Sequence, residues 1–321
     1  MADEISIIQA LLLGAVQGVA EWLPISSEGI TMFLMINAFG KNPSDAISYA
    51  IFLHFGTMLA AILKFKGDFS HILASFACKN RRKNWRENSM LSIILIATLF
   101  TGLTAVPLYI AIKYGSVAVS GKVFSLLIGA LLILTGFILG APERRERRER
   151  SGRRKVKGES GVGERGVSSK SSESDAYRGA EELSHFESAL LGAAQGCAIL
   201  PGISRSGTTI AFLLLRRIRQ EDALKISFII SVPAVLGAVF IDLIGNVPDF
   251  NLFTGISMLI SSFIFGYATI NVLLRFASIV KFSKFCISLG LIVIVYNIDI
   301  IIKAIPFVLK IIENIISILM M

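Results

Sequence analysis

Two long apolar segments of this chain, residues 5–38 and 186–215, are each broken in the middle by Pro, Gly and Ser residues. The breaks are Leu23-Pro24-Ile25-Ser26-Ser27-Glu28-Gly29 and Leu200-Pro201-Gly202-Ile203-Ser204-Arg205-Ser206-Gly207. Pro and Gly interrupt a helix, and the peptide groups freed there cannot face lipid. At membrane depth such breaks are tolerated only inside protein or beside a polar cavity. If the chain lies in a membrane, each segment is predicted to be a re-entrant pair of helices.

The rest of the chain is apolar enough to cross a membrane several times. Hydrophobic residues make up 54% of the whole chain and charged residues 17%, whereas soluble domains average about 25% charge. This composition excludes an ordinary soluble enzyme and favours an all-α polytopic protein of the cell membrane. A spanning helix needs about 20 mostly apolar residues. The segments that meet this requirement are approximately 46–63, 90–112, 120–140, 223–245, 252–274 and 285–302.

Positive charge is concentrated in two loops. The net charge is +9, and residues 141–182 hold 21 of the 55 charged residues in a low-complexity sequence. Because Lys and Arg accumulate in cytoplasmic loops, loops 64–89 and 141–182 are both predicted to be cytoplasmic. The charge is therefore attributed to membrane orientation, and no nucleic-acid partner is expected. Residues 303–321 form an apolar C-terminal extension, either an interfacial helix or a continuation of the last span.

The two broken segments are related by an internal repeat. When residue n is placed beside residue n + 178, nine of the eighteen positions from 14 to 31 are identical without a gap. Each broken segment is followed by three spans, so the second copy enters the membrane from the opposite face. We predict an inverted-topology repeat with residues 1–140 and 183–302 as its halves. Folds of this type place a polar site between the two broken elements.

Polar side chains are concentrated at the two breaks. Charge inside a membrane is costly and marks candidate functional sites. An Arg combined with hydroxyls, carboxylates and the free amides of restarted helices suits an anion, most naturally a phosphate. The candidates are Gln17, Glu21, Ser26, Ser27, Glu28, Gln195, Ser204, Arg205, Ser206, Thr208 and Thr209.

Several of these assignments have alternatives. Gln17 and Gln195 either contact the ligand or hydrogen-bond each other across the repeat interface. Glu21 either takes part in the chemistry or only forms an ion pair with Arg205. His54 lies inside a predicted span and is either catalytic or held by a structural hydrogen bond.

Carboxylates also suit hard cations. Glu21 and Glu28 are the candidate ligands of a Mg²⁺ or Ca²⁺ ion, because such ions prefer oxygen donors. Asp242 lies toward the end of a predicted span, and an interfacial position is the simpler account of it.

The residues at the breaks resemble the undecaprenyl-pyrophosphate phosphatase family, the bacitracin-resistance membrane phosphatases. The matching motifs are Gly14-x-x-Gln17-Gly18-x-x-Glu21-Trp22-Leu23-Pro24-Ile25-Ser26-Ser27-x-Gly29 and Pro201-Gly202-Ile203-Ser204-Arg205-Ser206-Gly207-x-Thr209-Ile210. The resemblance covers most of the chain. It implies a membrane enzyme that hydrolyses a polyprenyl diphosphate to the monophosphate and inorganic phosphate, which recycles a glycan carrier lipid.

The same resemblance implies roles for individual residues. Glu21, Ser26, Ser27 and Arg205 would be functional positions. Ser27 would be a nucleophile or a phosphate ligand, and Arg205 would clamp the diphosphate. A homodimer is a further expectation.

The chain departs from the family pattern near the first break. Gln17 stands where the family usually has Glu, Ile30 where it usually has His, and Glu28 where it has a small or polar residue. Ile30 cannot relay a proton or attack phosphorus. Three outcomes are open: Glu28 takes over the role, His54 reaches the site, or hydrolysis is lost. In the last case the protein would be a polyprenyl-phosphate flippase.

Overall fold

The computed structural model describes residues 5–23, 25–77, 89–116, 123–141, 178–179, 182–245, 251–276 and 282–299. These residues form helices and contain no strand, apart from one bridging pair, Arg178 and Ile218. The all-α class is therefore confirmed. The helices are α1 (Ile7–Ala20), α2 (Ser27–Asn37), α3 (Pro43–Lys64), α4 (Lys66–Ala77), α5 (Ser89–Ser116), α6 (Val123–Ala141), α7 (His185–Cys197), α8 (Arg205–Leu215), α9 (Gln220–Gly245), α10 (Leu252–Phe276) and α11 (Phe282–Tyr296).

Within these residues, five helices are long and apolar enough to cross a membrane. They are α3, α5, α6, α9 and α10, and each falls on a predicted span, so the protein is a multi-pass membrane protein. The remaining predicted span, 285–302, falls on α11, which has 15 residues. That length is about 22 Å, shorter than the hydrocarbon core of about 30 Å. Residues 300–302 lie outside the described residues.

The predicted loop 64–89 contains a helix instead. Residues Lys66–Ala77 form α4, and the prediction of a loop was wrong for this part. Phe69 and Ile72 lie three positions apart, on one face of the helix, and both join a hydrophobic cluster that includes buried residues of α5 and α9. The apolar stripe of α4 is short, and the many basic residues around it made this segment read as a loop. Most of loop 141–182 and all of residues 303–321 lie outside the described residues. The low-complexity loop and the apolar C-terminal extension therefore stay predictions.

Each broken segment consists of two short helices that begin with the same local signals. Ser6 and Ser184 are N-caps of α1 and α7, and each forms a reciprocal capping box with the residue three positions on. Ser26 and Ser204 cap α2 and α8 through their side chains. These caps are 178 positions apart, so the repeat extends beyond the identical stretch. The opposite membrane orientation of the two halves stays a prediction.

Helices of the two halves pack against each other. Helix α1 contacts α10, and its repeat counterpart α7 contacts α5. Both contacts are close because glycines face the neighbouring backbone. A Cβ on Gly14 would lie 2.6 Å from the Cβ of Ser261, and a Cβ on Gly192 would overlap the carbonyl of Ala97. Small residues at such positions let membrane helices approach closely. This crossed packing brings the two breaks together, with α3 beside them.

Candidate active site

The carboxylate of Glu21 lies at the centre of the site. Glu21 follows the last residue of α1, and its side chain is buried. Gln17, one turn earlier, donates from Nε2 to Glu21 Oε2 at 2.8 Å. Ser27 begins α2 beyond the break and donates from Oγ to the same oxygen at 2.8 Å. The break thus folds the start of α2 back onto the end of α1, so that two donors converge on one carboxylate oxygen.

The second break supplies the opposite charge. Arg205 is the first residue of α8, and its Nη2 forms an ion pair with Glu21 Oε1. The side chains are 17% and 4% exposed, so both charges are largely removed from solvent. An ion pair this deeply buried is strongly destabilised when either partner is removed alone. The pair joins the two breaks of the repeat at one point.

His54 reaches the site from α3. Its Nδ1 lies 2.7 Å from the carbonyl oxygen of Ala50, and its Nε2 lies 3.3 Å from Glu21 Oε2. His54 therefore makes the structural hydrogen bond and also contacts the central carboxylate.

A cavity of about 720 Å³, counted out to its open mouth, adjoins this cluster. Three buried polar atoms of its lining residues have no hydrogen-bond partner in the part of the chain that the structure describes: Glu28 Oε1, Gln195 Oε1 and Arg205 Nη1. Buried polar atoms are rarely left without partners. This cavity therefore suits a polar ligand that can meet a guanidinium nitrogen.

Hydrogen bonds join the two breaks directly. The hydroxyl oxygen of Ser26 accepts from the backbone N–H of Gly29 at 3.0 Å and from that of Gly202 at 3.1 Å. Ser206 donates from Oγ to the carbonyl oxygen of Leu23 at 3.0 Å. Gly202 has a φ of 108°, which disfavours every residue with a side chain. The geometry of the second break therefore depends on a glycine at this position.

Comparison with known proteins identifies the group to which this chain belongs. The model of one protein family, bacitracin resistance protein BacA, matches residues 10–294. The chain belongs to the BacA family. The resemblance seen in the motifs of the two breaks is thereby confirmed.

Relatives match this BacA-family chain over nearly its whole length. An undecaprenyl-diphosphatase of Methanothrix thermoacetophila is 44% identical over 89% of this chain and 94% of its own. An undecaprenyl-diphosphatase of Methanococcoides burtonii is 38% identical over 89% and 96%. One of Haloarcula marismortui is 34% identical over 88% and 94%.

The position where the BacA family usually has His lies away from the cavity in this chain. Ile30 packs against a small apolar cluster of Ala20, Ile25 and Cys286, and it is not among the residues that line the cavity. The two candidate replacements, Glu28 and His54, both line the cavity. Both candidates are therefore close enough to act in the cavity, and the choice among the three outcomes stays a prediction.

Four of the predicted site residues do not line the cavity. Gln17, Ser204, Thr208 and Thr209 are not among the cavity-lining residues. Ser204 accepts from the backbone N–H of Gly207 at 3.1 Å, and Thr209 donates to the carbonyl of Arg205 at 2.9 Å. These bonds hold the first turn of α8 and so place Arg205.

The alternative in which the two glutamines bond each other is wrong. Gln17 donates to Glu21, whereas Gln195 donates from Nε2 to Thr101 Oγ1 at 3.0 Å and to the carbonyl of Ile230 at 3.4 Å. Sequence reasoning missed Thr101, because a lone Thr in an apolar helix carries no functional signal. The crossed packing of α7 on α5 brings it to the site.

A second threonine was missed for the same reason. Thr135 lies on α6 and donates from Oγ1 to the carbonyl of Gly202 at 3.0 Å. The same oxygen accepts from the backbone N–H of Ser204 at 3.1 Å. Thr135 thus satisfies backbone groups that the second break frees.

Asp242 lies three positions from the end of α9, and its side chain is buried. Its interfacial depth in a membrane stays a prediction. Lys113 Nζ lies 3.2 Å from Asp242 Oδ1, Ser48 donates to the same oxygen at 3.0 Å, and the hydroxyl of Tyr109 donates to it as well. A charge near the end of a span can be buried when another helix supplies the counter-charge. Here Lys113 on α5 supplies the counter-charge of Asp242 on α9.

The carboxylates do not form a metal cage by themselves. In the described part of the chain, no three His, Cys, Asp or Glu side chains are grouped for a metal ion. Glu21 already accepts from Gln17, Ser27 and Arg205, and His54 Nε2 lies 3.3 Å from it. Glu28 has one carboxylate oxygen without a partner. The donor set therefore fits only an ion that takes most of its ligands from a phosphate and water, as Mg²⁺ commonly does.

Proposed function

We propose that the protein hydrolyses a polyprenyl diphosphate of the undecaprenyl type to the monophosphate and inorganic phosphate. In a cell this reaction would recycle a glycan carrier lipid. Relatives named undecaprenyl-diphosphatase, matched over nearly their full length, support the proposal. The structural observation that carries it is the convergence of Ser27, His54 and Arg205 on the carboxylate of Glu21 beside the cavity.

Arg205 binds the diphosphate in this mechanism. Its Nη2 is held by Glu21, which fixes the plane of the guanidinium, while Nη1 has no partner among the residues that the structure describes. A guanidinium offers several donors in one plane, and these match the oxygens of a phosphate. Its charge stabilises the negative charge that grows on the leaving monophosphate, which is the main requirement of phosphoryl transfer.

Ser27 is the nucleophile in this mechanism. Its Oγ donates to Glu21 Oε2 at 2.8 Å, so the carboxylate is placed to take the hydroxyl proton as the oxygen attacks. Attack on the terminal phosphorus forms a bond to Ser27 Oγ, breaks the bond to the bridging oxygen and releases the prenyl monophosphate. Water then attacks the phosphoserine, which releases inorganic phosphate and restores the hydroxyl.

In this mechanism Glu28 and His54 together replace the His that the family usually has at position 30. Glu28 lines the cavity, and its Oε1 has no partner among the described residues, so we assign it to take a proton from the attacking water. His54 contacts Glu21 rather than the reacting atoms. We assign it as a positioning residue that keeps the carboxylate oriented toward Ser27.

A divalent ion is a further proposal. Glu28 would hold Mg²⁺ or Ca²⁺ that arrives with the diphosphate, and the ion would neutralise charge on the phosphate oxygens. Metal binding and proton transfer are alternative uses of Glu28. Phosphate release before and after treatment with EDTA decides between them, since unchanged release after chelation contradicts the metal.

The cellular setting also remains a proposal. We propose that the protein lies in the cell membrane as a homodimer, with loops 64–89 and 141–182 on the cytoplasmic side. Labelling of single cysteines placed in each loop tests the orientation, and reaction of the two loops from opposite faces contradicts it. Mass measurement of the detergent-solubilised protein tests the dimer, and a monomeric mass contradicts it.

The main experiment measures phosphate release from undecaprenyl diphosphate by the purified protein in detergent. Hydrolysis that is abolished in Ser27→Ala and Arg205→Ala supports the enzyme. Ser257→Ala and Arg219→Ala are the matched controls, because these side chains lie on the surface away from the cavity. No release with or without Mg²⁺, together with lipid binding that is lost in Arg205→Ala, overturns the proposal and favours the flippase.

A further inference from the structure

An apolar groove continues from the polar cavity along α5 and α9. It encloses about 490 Å³ out to its open mouth. Residues of both helices and of the second break line both spaces, so the groove lies directly beside the cavity. These shared residues are Thr101, Ala105, Ile199, Ala234 and Ala238. Residues that line the groove but not the cavity are Thr98, Gly102, Val106, Tyr109, Pro233, Gly237 and Ile241.

Two glycines keep this groove open. A Cβ added to Gly102 or to Gly237 would meet no heavy atom within 4 Å. Gly14 and Gly56 differ, since a Cβ on either would collide with α10. Glycine inside a helix is unfavourable relative to alanine, and close helix packing does not account for Gly102 and Gly237. The space that they leave belongs to the groove.

The far end of the groove is bounded by a buried charged cluster. Tyr109 lines that end, and its hydroxyl donates to Asp242, which is paired with Lys113. From Thr101 to Tyr109 the groove follows eight residues of α5, which is about 12 Å. A ligand that fills both spaces therefore needs an anionic head at Arg205 and an apolar chain beside it.

We propose that the groove holds the first isoprenoid units of the substrate while the diphosphate lies at Arg205. This inference rests on the proposed function. A prenyl chain gains little hydrophobic free energy by leaving lipid for the groove, because lipid tails are equally apolar. The groove instead acts by shape: it seats the chain so that the head group can reach Ser27. Gly102 and Gly237 are thereby specificity-determining residues.

Leucine at either glycine tests the proposal. Gly237→Leu and Gly102→Leu place a side chain in the groove without a clash at Cβ. We expect the KM for undecaprenyl diphosphate and farnesyl diphosphate to rise about tenfold, equivalent to about 1.4 kcal/mol. The KM for dimethylallyl diphosphate, whose chain ends before the groove, is expected to stay within about twofold. Gly115→Leu is the matched control, because it lies on α5 outside the groove and its Cβ also meets nothing within 4 Å.

The outcomes separate this inference from the proposed function. If the leucine variants raise the KM equally for all three substrates, or leave the KM of the long-chain substrates unchanged, the proposed role of the groove is wrong. Hydrolysis by the wild type still supports the proposed enzyme activity in that case. Gly237→Ala, with a smaller side chain, is expected to show a smaller rise and serves if the leucine variants do not fold. If the wild type releases no phosphate, the enzyme proposal fails. The groove is then tested by the Kd for a farnesyl methylenediphosphonate, which must rise about tenfold in Gly237→Leu and stay unchanged in Gly115→Leu.

Discussion

The buried ion pair between Glu21 and Arg205 predicts an unusual pattern of stability in single and double variants. Glu21→Gln leaves the guanidinium without its charge partner, and Arg205→Met leaves the carboxylate without its own. The two side chains are 4% and 17% exposed, so water compensates either charge only poorly. Removing one partner of a buried pair costs about 3–5 kcal/mol. At about 2 °C per kcal/mol, each single variant should unfold roughly 6–10 °C below the wild type.

The double variant Glu21→Gln/Arg205→Met should be more stable than either single variant, because neither charge remains buried alone. It should nevertheless release no phosphate, since the phosphate clamp and the base are both gone. The assay is thermal unfolding in detergent, followed by intrinsic fluorescence, together with phosphate release at a temperature where all variants are folded.

A matched control is the exposed pair of Arg219 and Asp222, whose side chains are 61% and 23% exposed. Its single and double variants should each lie within about 1 kcal/mol of the wild type. Additive losses in the Glu21/Arg205 double variant would refute the reasoning, because they would show that the two charges do not depend on each other.

The remaining predictions concern proton transfer and pH. Glu28→Gln should lower phosphate release far more than His54→Ala, because Glu28 faces the reacting water and His54 only orients Glu21; the reverse order would transfer the proton-transfer role to His54. At the start of α7, the hydrogen bond from Arg178 lowers the pKa of Glu187 to about 2. The stability that this carboxylate contributes is therefore full above its ordinary pKa of 4.5 and is lost as the pH falls toward about 2. Unfolding temperatures of the wild type and Glu187→Gln should converge between pH 5 and about pH 2, and a constant gap would contradict this.

The candidate site was partly accessible from the sequence because charge inside a membrane is rare. Glu21, Glu28 and Arg205 stand out in apolar segments, and Ser27 adjoins them. Their contacts follow from those positions only once the breaks are known to face each other.

His54 and Asp242 show where sequence reasoning stops. His54 lies 33 positions from Glu21, and only the packing of α3 beside the first break brings its ring to the carboxylate. The counter-charge of the buried Asp242 is Lys113, which comes from another helix 129 positions away. Whether a charge is buried with a partner depends on such distant contacts, which local hydropathy does not contain.

The sequence by itself determined the membrane class and the places where helices begin and break. Those features are local: span length is set by consecutive apolar residues, and Ser26 caps α2 through a residue three positions away. The tertiary structure decided that α1 packs on α10 and α7 on α5. That crossing brings donors from α1, α2, α3 and α8 to a single carboxylate and leaves a groove beside it. Such a site depends on contacts between segments far apart in the chain, and the geometry of those contacts is set by packing rather than by local sequence.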